Sequence, residues 1–154
     1  MREARFFVSK LKIWHRTTRS TRRKPTNFRE EILLSMSNSV DPKRGEIWLV
    51  NLDPTRGDEI NKTRPAAVIS SDTIRTLRLR LVAPITGWNQ RFSRSFWHVR
   101  LIADQQNNLD KDSAADMMQV RSLALPRFVK HIGRLRNAQV ESMVIALAAV
   151  TEYQ

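Results

Sequence analysis

From Lys43 onward the apolar residues of this chain come in short runs, each closed by proline, glycine or a charged turn. That rhythm constrains the fold more than any other feature, because it suits the strands of a small barrel or strongly curved sheet and leaves little room for helices. The first run, Glu46 to Leu52, stops at Asp53-Pro54, since proline brings no backbone donor and cannot continue inside a central strand. The second, Ala66 to Ser70, follows Pro65. Between them lies a polar connection from Thr55 to Arg64, too long for a tight hairpin and too charged for a core. Such loops commonly carry function.

In the third run the two-residue period puts Leu77, Leu79, Leu81, Ala83 and Ile85 on one face. Arg78, Arg80, Val82, Pro84 and Thr86 share the other, so Thr86 ends a strand on its polar side. Further strands are predicted at about 96–102, 115–120 and 128–134, giving five or six in all. The 115–120 strand is reached through Asn107 to Asp112. A helix closes the chain, with Asn137 as its N-cap and Val140, Met143, Val144, Leu147 and Val150 on one face, a stripe suited to packing on the sheet.

The 154 residues divide by charge into a basic extension, 1–41, and a body, 42–154. The extension carries 10 Lys and Arg against 4 Asp and Glu and the body 17 against 11, so that each holds +6 of the net +12. Residues 1–41 show no periodicity and little to bury, which predicts disorder, with a short helix near 28–34. A nucleic-acid-binding arm, an organellar transit segment and a start codon assigned upstream of a true start at Met36 all fit this composition.

A net charge of +12 attracts polyanions, so nucleic acid and anionic membranes are both natural partners. The longest apolar run, Met143 to Val150, falls far short of the roughly 20 residues a spanning helix requires, so no membrane span is expected. The chain has no cysteine, which removes disulfides, thiolate metal sites and a cysteine nucleophile, and suits a reducing compartment. Its three histidines, His15, His98 and His131, are scattered and form no metal motif, and its four glycines form no nucleotide-binding loop. No cofactor or metal is expected. A nucleophile elbow is also lacking.

Chemistry that needs neither metal nor enzyme nucleophile remains, and RNA scission is its leading example, because the 2′-hydroxyl of RNA can itself attack the neighbouring phosphate. The protein then has to orient the strand, move protons and stabilise charge. Arginine suits the last task, since its guanidinium stays charged and donates two parallel hydrogen bonds to phosphate oxygens. On chemistry alone Arg64 is one eligible cation among 27 Lys and Arg residues.

Its context singles it out. Lys43-Arg44-Gly45-Glu46-Ile47-Trp48-Leu49-Val50-Asn51-Leu52-Asp53-Pro54-Thr55-Arg56-Gly57-Asp58-Glu59, followed by Lys62-Thr63-Arg64-Pro65-Ala66-Ala67-Val68-Ile69-Ser70, closely resembles the start of MazF/PemK toxins. Val82 to Thr86 is similar to the family strand that ends in Thr or Ser, and Asp112 to Leu123 to its next signature. The resemblance covers about residues 43–152 and implies a mostly β fold: an SH3-like, CcdB/PemK-type barrel of five to seven strands with a C-terminal helix, usually a homodimer.

The resemblance also implies a cytoplasmic, metal-independent endoribonuclease acting on single-stranded RNA. A cognate MazE-like antitoxin with an acidic, disordered tail would hold it inactive. Arg64 and Thr86 match the catalytic pair, and Glu59 matches an acidic position that would serve either as base toward the 2′-hydroxyl or as an ion-pair partner holding Arg64. Gln119 and Arg121 match positions near the RNA-binding surface, and Arg56 and Lys62 could reach phosphates from the loop. Trp88 is a candidate platform for stacking bases, whereas Trp97, alternating with Val99 and Leu101, is expected in the core. His98, on the face opposite Trp97 with Arg100, could assist proton transfer if the fold brings it to Arg64.

One departure stands out. Members of the family commonly have Ser-Glu-Gln followed by glycine in this loop, whereas Asp58-Glu59-Ile60-Asn61-Lys62 contains no glycine. Two other functions keep the barrel without this chemistry: a catalytically silent nucleic-acid-binding regulator and a gyrase-targeting toxin.

Overall fold

A computed structural model of the protein describes residues 40–74 and 76–153. The expectations for residues 1–39, including the disordered arm, the short helix and a start at Met36, lie outside the described residues. Val40 packs against the core and Asp41 pairs with Lys43 and Arg80, so these two residues already belong to the folded unit.

Among the described residues, seven strands and a C-terminal helix make up the fold. The strands are β1 (Glu46–Asn51), β2 (Thr63–Val68), β3 (Leu79–Gly87), β4 (His98–Leu101), β5 (Ser113–Asp116), β6 (Arg121–Ala124) and β7 (Phe128–Arg134), and the helix is α1 (Asn137–Val150). All pairings are antiparallel, in the order β4-β5-β3-β2-β1-β7, with β6 on the first half of β3. The nine-residue β3 organises this sheet: Leu79–Val82 pairs with β6, and Ile85–Gly87 pairs with β5.

Alternation along β1, β2 and β3 serves two cores. Ile47, Ala67, Ala83 and Ile85 pack with Leu101, Met117, Val140 and Met143, joining the sheet to α1. Val50, Ala66, Val68 and Val82 pack on the other side with Leu123 of β6 and Phe128 of β7. The face of the third run that the sequence marks as polar is therefore largely buried: Val82 and Pro84 are closed off, and each such aliphatic side chain contributes about 1.5–3 kcal/mol.

Arg80, on that face, is only 7% exposed. Each nitrogen of its guanidinium donates, Nε to Pro42 O at 3.0 Å, Nη1 to Leu77 O and Leu79 O, and Nη2 to Asp41 Oδ1 at 2.5 Å. Conversely, Leu77 and Leu79, expected inside, are exposed because β3 begins only at Leu79 and its first turns of chain lie at the rim.

Other boundaries moved as well. β2 starts at Thr63, three residues before the predicted strand, because Thr63 to Pro65 pair across to Leu49 to Asn51. The predicted strand at 115–120 breaks at Met117, where Asp116 caps a 3-10 turn through Met118 N at 3.0 Å, and the four-residue β6 follows. Asn137 is the first helical residue of α1 and not its cap; Arg136 precedes it, its N–H donating to Gln139 Oε1 at 2.9 Å. The buried stripe is Val140, Met143 and Ala146, with Leu147 and Val150 partly covered, while Val144 is turned outward.

Candidate active site

Two prolines shape the site. The β2–β3 ladder covers Ala66 to Val68 against Val82 to Pro84 and ends at the Ala66–Pro84 pair. Pro65 and Pro84 have no N–H to extend it, and β3 goes on to pair with β5 instead. Past the last pair, Arg64 and Thr86 occupy the positions that the same register would set opposite each other. An open cleft of about 500 Å³ lies at this parting, lined by Leu49, Arg64 and Pro65 on one side and Ile85, Thr86 and Gly87 on the other.

The rest of the cleft wall comes from two segments distant in sequence. The loop before β5 supplies Asn108 to Lys111, and β7 supplies Lys130, His131 and Ile132. Arg64, Lys111 and Lys130 thus meet with Asp110 as the accompanying carboxylate. Among the described residues none of the three cations makes an ion pair. The half-buried Arg64 is steered by one hydrogen bond, Nε to Asn61 O at 3.0 Å, which leaves its terminal nitrogens for a ligand. Such an arrangement of charge and donors fits an anion with several oxygens, such as a phosphodiester.

Arg64 is therefore a strand residue, paired with Val50, and not the loop residue the sequence suggested. The loop before it is held at both ends. Leu52 N donates to Lys62 O at 3.1 Å, Lys62 N to Asp53 Oδ1 at 3.0 Å, and Arg121 Nη2 to Leu52 O at 2.6 Å. Lys62 adopts φ 66°, a left-handed conformation that glycine would reach without strain. Here the loop keeps that geometry with a lysine, through the bonds to Asp53 and Leu52.

Glu59, Gln119 and Arg121 come together in a second, smaller recess of about 290 Å³ and do not line the cleft. The Gln119 side-chain amide straddles Glu59, its Nε2 donating to Asp58 O and its Oε1 accepting from Ile60 N, both at 3.2 Å. Glu59 accepts the Arg56 N–H at 3.2 Å and faces Arg121 at 3.9 Å. The ion pair considered between Glu59 and Arg64 is not formed; Arg121 occupies that role. Arg56 and Lys62 are exposed on the loop.

Trp88 is less open than a stacking platform would be. The Arg100 guanidinium lies over its ring at 5.0 Å, and Phe92 meets it edge-on. Arg100 is itself bound to Asp112, Nη2 to Oδ2 at 2.9 Å. That bond, helped by the Ala103 N–H, holds the Asp112 carboxyl below its ordinary pKa. Trp97, Val99 and Leu101 pack in the core as their alternation suggested.

His98 is not a cleft residue: its ring stacks on Phe92 at 4.0 Å and its Nε2 lies 3.7 Å from Asp116. The histidine beside the cleft is His131, whose ring also meets Trp48 edge-on at 5.3 Å. Lys111, Lys130 and His131 had no signal in the sequence beyond their charge, since only the pairing of β7 with β1 and of β5 with β3 brings them to Arg64.

A family model described as PemK-like, MazF-like toxin of type II toxin-antitoxin system matches residues 43–151. The chain belongs to this family. Among its PemK/MazF-like relatives is the "Endoribonuclease MazF9" of Mycobacterium tuberculosis, 35% identical over 111 residues that span 68% of this chain and 92% of the relative. The fold is shared with the crystal structure of MazF from Deinococcus radiodurans, with a TM-score of 0.61 at 20% identity, over 72% of this chain and 96% of that one. A MazE-MazF crystal structure from the same organism superposes with a TM-score of 0.58 at 18% identity, over 74% of this chain and 98% of that one. The seven strands and C-terminal helix described above thus form a fold of the PemK/MazF type, shared with these two solved structures.

Proposed function

We propose that this chain is the toxin of a toxin-antitoxin pair, a cytoplasmic, metal-independent endoribonuclease that cuts single-stranded RNA in the cleft between β2 and β3. The observation that carries this reading is the meeting of Arg64 and Thr86 at the parting of the two strands, in a cleft rich in unpaired cations. Family membership and an endoribonuclease relative of similar length support it.

In this mechanism the 2′-hydroxyl attacks the adjacent phosphorus and the bond to the 5′-oxygen breaks; the 5′-oxygen takes a proton from water as it leaves, giving a 2′,3′-cyclic phosphate and a 5′-hydroxyl. Arg64 stabilises the added negative charge of the pentacoordinate state, and Thr86 donates its hydroxyl proton to a non-bridging oxygen as a hydrogen bond. A guanidinium holds its protons tightly and is poorly suited to release one, so the part of Arg64 is electrostatic.

Glu59 takes the 2′-hydroxyl proton from the loop. Its exposed carboxylate rests in the neighbouring recess, 3.9 Å from Arg121, and swings out of it to meet a strand bound in the cleft; the loop that carries it also carries Asn61, whose carbonyl steers Arg64. Gln119 and Arg121 order that loop, and Arg56, Lys62 and Trp88 contact flanking nucleotides. An antitoxin with an acidic, disordered tail would cover this basic cleft in a toxin homodimer; the MazE-MazF architecture supports a partner of that kind.

The test is to incubate the chelator-treated protein with a long RNA and with DNA of the same sequence, alongside Arg64→Ala. RNA cutting that persists without metal and falls at least about 100-fold in the variant is expected, as for loss of one charge-stabilising group. Cutting of DNA, or undiminished cutting by Arg64→Ala, would overturn the mechanism. A protein that leaves every RNA intact would instead be a silent or gyrase-targeting barrel.

A further inference from the structure

Resting on the ribonuclease reading, we propose that Lys111 is a second phosphate-binding cation of the cleft, its ammonium end seated against residue 87, the one after Thr86, because that residue is glycine. A β-carbon added to Gly87 would stand 3.0 Å from Lys111 Cε and 3.2 Å from Nζ. The lysine's ammonium end therefore lies across the strand at the residue that follows Thr86. Gly87 does not need left-handed freedom for this; what it provides is the room that a side chain would fill.

The backbone under Lys111 is fixed. Gly87 pairs with Ser113, Trp88 N donates to Asp112 O at 2.9 Å, and the Ser113 hydroxyl donates to Lys111 O at 2.8 Å. The Asp112 carboxylate is already engaged, by Arg100 and by Ala103 N at 3.1 Å, so it does not neutralise Lys111. Among the described residues Lys111 has no ion-pair partner. An ammonium held on a rigid base beside an open cleft that already contains Arg64 is suited to one further anionic oxygen of the same ligand. In an RNA strand that is the phosphate next to the scissile one, bound equally before and during the reaction, so Lys111 contributes affinity and register more than rate.

Binding of an uncleavable, fully 2′-O-methylated RNA to the whole chain, measured across a salt series, separates this role from a structural one. Each phosphate contact on a single strand contributes about 0.7 to the slope of log K against log salt. Lys111→Met is expected to weaken binding roughly 3- to 10-fold at low salt and to lower that slope by about 0.7, with Lys111→Arg restoring both. Gly87→Ala should reproduce part of the loss with unchanged urea unfolding, because the added carbon meets only the flexible end of the lysine. Arg78→Gln, an exposed change outside the cleft, serves as the control. If Lys111→Met keeps wild-type affinity and slope while Arg64→Ala still abolishes cleavage, the Lys111 assignment is wrong and the ribonuclease reading stands. If the wild-type chain neither binds nor cuts RNA, both fall together.

Discussion

Gly133→Ala should be among the most damaging single-methyl changes in this fold. Gly133 sits in β7 opposite Ile47, where the strand passes against the loop of residues 102–112. A β-carbon there would stand 2.4 Å from Asn107 O, 2.5 Å from Asn107 C and 2.8 Å from Gln106 O, all backbone atoms. Ordinary contact begins near 3.4 Å, so strand and loop must part by about 1 Å. The loop cannot give way cheaply. Asn107 is fully buried, its side chain bonded to Asp104 N, Leu109 N and Ile102 O, and Arg134 N donates to Gln106 O at 2.9 Å across the same contact. Overpacking costs about 1–3 kcal/mol, and losing one or two of these bonds adds about 1 kcal/mol each, which gives about 2–5 kcal/mol. In urea, with a slope near 1.5 kcal/mol per molar, the unfolding midpoint should drop by about 2 M. Gly57→Ala is the matched comparison: it meets nothing within 4 Å but has φ +57°, so it should cost only about 1 kcal/mol of backbone strain. A Gly133→Ala protein within about 0.5 kcal/mol of wild type, or no less stable than Gly57→Ala, would refute the close approach of β7 to the loop.

Arg80→Met should destabilise by about 2–4 kcal/mol in the same assay, since it strands three carbonyls and Asp41, whereas Asp41→Asn, at an exposed partner, should cost under about 1 kcal/mol; equal effects would contradict the assigned hierarchy. Asp41, through its bond to Lys43 and then to Arg80, and Asp112, through its bond to Arg100, both have pKa values below the ordinary 3.8. Their contribution to stability is complete above 3.8 and is lost as pH falls through the lower folded values, so stability should decline on acidification below about pH 4. Replacing Asp112 with Asn should flatten part of that decline, and an unchanged acid limb would count against its ion pair.

What could be read from the sequence was whatever depends on neighbours along the chain. β1 and β7 were legible within a residue because their signals are local, with Asp53-Pro54 after the first and Pro126 before the second. β6 was not, since Arg121-Ser122-Leu123-Ala124 buries only Leu123 and owes its strand to pairing with Leu79 to Val82. The buried Arg80 read as a surface residue because its satisfying groups, Pro42 O and Asp41, lie nearly forty positions away. Within the site, Arg64 and Thr86 stood out through a long ordered motif, but their juxtaposition depends on where the β2–β3 ladder ends. Lys111 and Lys130 carried no motif and become cleft residues only when β7 pairs with β1 and β5 with β3. Glu59, Gln119 and Arg121, matched singly to functional positions, form one cluster whose visible contacts order the loop.

The central claim is that RNA supplies its own nucleophile while Arg64 and Thr86 stabilise the charge that develops. It is tested most directly on an RNA oligonucleotide containing a mapped cut site, made with a single 2′-deoxy residue on the 5′ side of the cut. The account predicts that this one missing hydroxyl abolishes cleavage at that bond while leaving the oligonucleotide bound, and that the all-RNA control yields a 2′,3′-cyclic phosphate end. Cleavage of the deoxy-substituted bond at a rate near that of the control would contradict it.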